Sequence, residues 1–258
     1  MFANAVRNPF ANLVGYSTVS IKGGQWYMIA AQFKTVGAES HIVKLNDFVK
    51  GTMVGTTDPK TAPRIQVWDT ERYTDYYFFS ESQGTPKTKQ YKYWAPGNNS
   101  LDNYALGQAA TINLGSGAWF NSQSDCEITV AGEVVEIGTK DITVKGNAWN
   151  LIANPFPTTM SVNNSVNWKE LAAAGKLVGT KDPKTAPRMQ VWDTDHGYTD
   201  YYFFSESQGT IKTKQYNYWA PGNNSLDNYA LGQLATVPVT RGFWLNYAGD
   251  DMTLTFTK

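Results

Sequence analysis

DPKTAPRIQVWDTERYTDYYFFSESQGTPKTKQYKYWAPGNNSLDNYALGQ runs from Asp58 to Gln108. It returns from Asp182 to Gln233 as DPKTAPRMQVWDTDHGYTDYYFFSESQGTIKTKQYNYWAPGNNSLDNYALGQ, with one residue inserted near Gly197. Chance does not produce such a match, so the chain is internally duplicated. Outside the block the likeness continues weakly. VSIKGGQWYMIA from Val19 aligns with ITVKGNAWNLIA from Ile142, and LGSGAWFNS from Leu114 aligns with VTRGFWLNY from Val239. The duplication therefore covers nearly the whole chain and predicts two units, residues 1–137 and 138–258.

Packing lets core positions drift among apolar residues, so identity in polar letters such as SESQGT and GNNSLDN needs another cause. One cause is a surface that does the same job twice. The other is a recent local copying of one block over its twin.

Within the block and around it, short runs rich in aromatic and β-branched residues are bounded by Gly, Pro, Asn or Asp, which is strand chemistry. Strands are expected at Trp26–Phe33, Arg64–Asp69, Tyr73–Phe79 and Gln90–Trp94, and in the twin at Trp149–Ala153, Arg188–Asp193, Tyr198–Phe204 and Gln215–Trp219. Gly242–Tyr247 and Met252–Phe256 close the second unit, and Cys126–Val130, Glu133–Ile137 and Asp141–Val144 make a structured join. One short helix per unit is expected. Asn167-Trp-Lys-Glu170 has capping-box spacing ahead of Leu171 to Ala174, with Gly175 as the stop, and Ser40 to Lys50 is its weaker counterpart. Pro96–Asn99 and Pro221–Asn224 read as turns. The fold class is all-β, mainly antiparallel, as two tandem pseudo-symmetric sandwich or barrel-like units.

Lys+Arg and Asp+Glu are both 22, with no basic run, which argues against nucleic acid as a partner. No apolar stretch nears the roughly 20 residues of a membrane-spanning helix. Cys126 is the single cysteine, so neither an internal disulfide nor a multi-cysteine metal site is expected. The first residues lack the regions of a signal peptide, so either the chain stays in the cytoplasm or Met1 stands where a signal segment was removed.

His41 and His196 do not align with each other and have no metal-ligand spacing, so both read as turn residues. The glycines at Gly23-Gly24 and Gly115 to Gly117 read as β turns, not phosphate loops. Asp69, Asp75, Glu81 and Asp102 recur as Asp193, Asp200, Glu206 and Asp227, but acidic residues in β turns are ordinarily solvated or capping, and no catalytic residue is assigned. Asp193, Asp195 and Asp200 are a weak calcium candidate, set against a solvated hairpin turn. No cofactor is expected. The strongest constellation is aromatic and amide-rich: Tyr91, Tyr93, Trp94, Asn98, Asn99 and Asp102, repeated as Tyr216, Tyr218, Trp219, Asn223, Asn224 and Asp227. Aromatic faces stack on sugar C–H faces while Asn and Asp satisfy hydroxyls, so this set suits a glycan; the competing reading puts the tryptophans in the core and the amides in turns.

Asn12-Leu-Val-Gly-Tyr16, Trp149-Asn-Leu-Ile-Ala-Asn-Pro-Phe-Pro157, Val191-Trp-Asp193, Arg241-Gly-Phe-Trp244 and Leu254-Thr-Phe256 resemble a group of secreted two-repeat β proteins of Verrucomicrobia and Lentisphaerae. The WNLIANPFP and VWD strings also resemble modules on exported Bacteroidota surface proteins. The first unit departs from the pattern, with Ala30-Ala-Gln-Phe33 in place of the Ala-Asn-Pro-Phe turn. The resemblance implies export and a non-catalytic role at the cell surface, and transfers no active-site residue. Two functions are therefore expected as alternatives: a self-assembling extracellular structural protein whose partner is itself, or a bivalent module that binds an extracellular glycan.

Overall fold

The computed structural model describes residues 13–38, 42–83, 89–135, 138–208, 214–223 and 225–258. Each half is built on a five-stranded antiparallel sheet. In the first the strand order is Trp26–Ala30, Gly117–Asn121, Arg64–Trp68, Tyr73–Gln83, Lys89–Pro96. In the second it is Trp149–Ala153, Gly242–Asn246, Arg188–Asp193, Gly197–Gln208, Lys214–Pro221. The registers correspond as well: Trp119 stands between Met28 and Gln66, and Trp244 between Leu151 and Gln190.

Period-two alternation decides what each strand buries. Tyr27, Ile29, Ile65, Phe78, Trp94 and Phe120 point inward, as do Ile152, Met189, Phe203, Trp219 and Phe243 in the other half. Smaller pairings close these faces. Val14–Ile21 pairs with Cys126–Glu133, and Thr139–Val144 with Met252–Thr257, contributing Ile128, Val130, Leu254 and Phe256 to the core. The sheets are open, so the architecture is sandwich-like and not a closed barrel.

Three features differ from expectation. Among the described residues each half holds two helices where one was expected: Leu45–Phe48 and Leu101–Ala109, then Trp168–Ala173 and Leu226–Leu234. The unforeseen long helix starts at Ser100, whose side chain accepts the Asn103 N–H, and Ser225 does the same for Asn228. That is N-cap chemistry, which the adjoining Pro-Gly-Asn-Asn turn signals masked. The expected cap at Asn167 is not made; its Oδ1 instead accepts the Thr255 N–H at 2.9 Å, tying the helix start to a strand. In the join, Cys126–Glu133 is one strand and not two, because Val14–Ile21 pairs along its whole length; Glu136 and Ile137 lie outside the described residues.

The halves meet through the opposite faces of their main sheets. Met28, Trp119, Leu151 and Trp244 are buried there, with Trp26, Trp68, Trp149 and Trp192 packed around them. The contacts are reciprocal. Trp68 Nε1 donates to the Trp149 carbonyl at 2.7 Å, and Trp192 Nε1 to the Trp26 carbonyl at 3.0 Å. Trp68 lies edge-on to Trp244 at 5.7 Å, and Trp119 edge-on to Trp192 at 5.5 Å. Burial pushes the Tyr73 and Tyr198 phenols up, opposed by hydrogen bonds from the Trp119 and Trp244 indoles. The backbones also meet: the Ala153 N–H donates to the Gly115 carbonyl at 2.7 Å, and a Cβ on Gly242 would lie 3.1 Å from the Gly117 Cα.

The departure at Ala30 to Phe33 belongs to the same junction. Gln32 is fully buried; its Nε2 donates to the carbonyls of Asn154 and Phe156 at 3.2 and 3.0 Å, and its Oε1 accepts the Thr240 N–H at 2.8 Å. A side chain of the first half thus satisfies three backbone groups of the second.

Gly242→Ala is expected to cost about 1–3 kcal/mol, because a backbone atom must give way. Gly138→Ala, with open space at its Cβ, is expected to stay within about 0.5 kcal/mol of the parent. Urea unfolding of both variants measures the difference.

Candidate functional site

The amide-rich segment resolves into parts with separate duties. Along Lys89–Pro96, Tyr91, Tyr93 and Ala95 share one face of the sheet while Trp94 enters the core on the other. Trp94 is 1% exposed and Trp219 0%. The expectation that these indoles form a glycan platform is therefore corrected: a ring enclosed on the core side of a strand has no face left for a ligand. Trp94 Nε1 donates to the Val49 carbonyl at 3.2 Å.

Tyr93 and Tyr218 are also removed from the candidate surface. The long helices cover them, with Tyr104 and Tyr229 meeting them edge-on at 4.7 and 4.8 Å. Asn98 and Asn223 are exposed, but each carboxamide oxygen accepts two donors. One is the backbone N–H of Ser100 or Ser225, and the other the side-chain amide of Asn103 or Asn228. These amides assemble the helix cap. Tyr91, Tyr216 and Asn99 remain half-buried and Asp102 and Asp227 exposed, while Asn224 and His41 lie outside the described residues.

The edge of each main sheet carries a repeated device that the sequence did not reveal. Asn46 Oδ1 accepts the Trp94 N–H at 2.7 Å, and its Nδ2 donates to the Gly107 carbonyl at 2.8 Å. Asn163 treats Trp219 and Gly232 identically, at 2.7 and 2.8 Å. One carboxamide thus stands in for a neighbouring strand and blunts the edge at that point.

A second repeated cluster lies on the outer face between the tryptophan junction and the helix. In the first half Gln66 Nε2 donates to Asp75 Oδ1 at 2.8 Å, the Tyr77 hydroxyl lies 3.4 Å from Asp75 Oδ2, and Arg64 stacks 4.6 Å above the Trp26 ring. In the second, Arg188 grips Asp200 with two hydrogen bonds of 3.1 and 2.7 Å, and Gln190 adds a third at 2.8 Å. Burial raises the Asp200 carboxyl, but the donors from Arg188 and Gln190 outweigh it and hold the group below its ordinary value. Arg64, Gln66, Asp75 and Tyr77 reappear as Arg188, Gln190, Asp200 and Tyr202 because cross-strand register sets them side by side. Only their shared two-residue spacing along adjoining strands could have signalled the cluster.

This arrangement disposes of the calcium candidate. Asp200 is engaged by Arg188, and Asp193 Oδ1 accepts the backbone N–H groups of Asp195 and His196 and contacts His196 Nδ1 at 2.8 Å. The carboxylates serve a sheet and a turn and do not converge; among the described residues no group of three or more His, Cys, Asp or Glu is placed to hold a metal. The side chains of Glu81 and Glu206 lie outside the described residues, and Asp69 caps its own turn through the N–H groups of Glu71 and Arg72.

Comparison with protein-family models, with curated proteins and with solved structures finds no match.

Asp200→Asn is expected to lower stability near neutral pH by about 1 kcal/mol, the scale of a partly exposed ion pair. The folded carboxyl is held low, so its contribution is present above the unfolded pKa and lost as pH falls through the folded one. Stability curves of parent and variant should therefore converge in acid, which chemical denaturation across pH 2–7 would record.

Proposed function

We propose that this chain is a non-enzymatic structural protein of the cell exterior that assembles with copies of itself. The observation that carries the reading is an apolar helix face presented twice. On Leu101–Ala109 the exposed Ala105, Leu106 and Ala109 are flanked by exposed Asp102 and Gln108; on Leu226–Leu234 the exposed Ala230, Leu231 and Leu234 are flanked by exposed Asp227. Leu106 is 58% exposed, Leu231 55% and Leu234 80%. Residues at i, i+1 and i+4 lie on one side of a helix, and that side normally faces a core. Here the core side is taken by Gly107 and Gly232, which sit directly on the backbone of the edge strand.

A second copy suits this face better than a charged partner does. The chain has equal numbers of acidic and basic residues, so copies do not repel one another. A like-with-like contact is closed by itself, but two such faces on one chain propagate it into a linear array. Export and the absence of a catalytic role rest on the resemblance of the repeated motifs to secreted surface proteins. The absence of a catalytic role is also supported by the hydrogen bonds that occupy Asp69, Asp75, Asp193 and Asp200 in structural duties. The repeated Tyr/Trp/Asn surfaces, with both indoles buried, offer a glycan little to stack on.

Sedimentation velocity and electron microscopy test the assembly. The parent should form extended oligomers that grow with concentration. Leu106→Glu or Leu231→Glu alone should stop at dimers through the remaining face, and the double variant should be monomeric. A parent that stays monodisperse and monomeric at millimolar concentration would sink the reading.

A further inference from the structure

Between the two halves, beside the tryptophan junction, lies a cleft of about 450 Å³. Its walls include Trp68, Asp69, Asn113, Ser116, Lys140 and Asp141, and its floor Leu151 and Ile152. Although the halves are pseudo-symmetric, the cleft comes from their difference. Ser116 aligns with Arg241, which reaches across the junction to lie 5.9 Å over the ring of Tyr27 in the first half. Tyr27 in turn aligns with Asn150, another wall of the cleft. On one side of the junction an arginine side chain covers the counterpart wall; on the other a serine leaves space.

What lines the space restricts what fits it. The Trp68 N–H is already given to the Trp149 carbonyl, so the indole offers the cleft an apolar surface and no donor. Asp141 is held by the Thr255 hydroxyl at 2.7 Å through Oδ1, and Asp69 by the N–H groups of Glu71 and Arg72 through its own Oδ1. Each carboxylate is oriented before any ligand arrives; Asp69 Oδ2 lies 3.7 Å from Arg72 Nε, while Asp141 keeps its second oxygen as acceptor. The backbone of Thr70 next to them is in the left-handed region at φ +82°, an uncommon state for a β-branched residue. The two carboxylates are matched by Lys140 in the wall and by Arg72 beside Asp69, so the cleft carries no excess positive charge to draw phosphate or another anion. A ligand with an apolar face and a rim of hydroxyl donors satisfies both the ring and the oxygens, and the volume lies within the range of small-molecule sites.

We infer that this cleft is a binding site for a neutral saccharide, one site per chain. It is distinct from the repeated outer faces and independent of self-assembly. The tyrosine and tryptophan rings of the repeated block take no part except Trp68, and at the counterpart position beside Trp192 the Arg241 side chain stands where Ser116 does.

Saturation-transfer NMR and tryptophan fluorescence with cellobiose, maltose, chitobiose, mannobiose and xylobiose test the inference on the full chain. At least one should bind the parent at millimolar concentration. Ser116→Arg, which transplants the twin's own side chain, should abolish the signal while leaving thermal unfolding unchanged. Asp141→Asn should weaken binding about tenfold or more, equivalent to about 1.4 kcal/mol, and reports independently should the arginine variant misfold. No binding of any of the five by the parent overturns the inference, as does binding that both substitutions leave unaltered.

Discussion

The molecule depends on indole packing between two sheets. A five-stranded sheet with one buried face would leave Trp26, Trp68 and Trp119 on its other side in water; its twin would do the same with Trp149, Trp192 and Trp244. Each half removes the other's exposed rings. Edge-to-face contacts add about 0.5–1.5 kcal/mol per pair to the area buried, and the polar N–H groups of Trp68 and Trp192 find carbonyls across the junction. The glycines at 117 and 242 make the approach possible, since a side chain at either would meet the opposing half.

That junction divides each outer face. Near it, rings are buried by the twin. Further along the same strands the face is left to itself, and there the residues become Arg64, Gln66, Asp75 and Tyr77, polar groups that satisfy one another in partial solvent. Beyond them the helix returns over Phe79 and Tyr93, and Gly107 lets it lie directly on the Trp94 backbone. The helix is pressed flat by a glycine, so its leucine cannot reach the core and faces outward. Pseudo-symmetry makes this happen twice, and the departures from symmetry at Gln32, Ser116 and Arg241 are confined to the junction.

The near-identical block acquires a physical reading from this arrangement. GNNSLDN is the cap of the long helix, with Asn98, Ser100 and Asn103 holding one another. Arg64, Gln66 and Asp75 are a cross-strand network in which each letter depends on the others. Much of the polar identity therefore has a structural cause inside each unit, in addition to any surface role.

Strand positions, the duplication and the all-β class were legible in the sequence because they follow from local periodicity and from repetition, which need no knowledge of partners. Trp149–Ala153 and Arg188–Asp193 appear at their expected bounds. The long helix was hidden because its cap residues are also turn residues, and what tips them to a helix is the packing of Gly107 and Tyr104 on the edge strand, which is not local in sequence. Which tryptophans face a ligand, which face the core and which face the other half could not be read, since alternation assigns a residue to a side of a strand but not to what covers that side. Trp68 and Trp94 carry the same letter in the same block. Their fates diverge because one side of the sheet meets the unit's own core and the other meets a second sheet, a distinction that exists only once the two halves have packed.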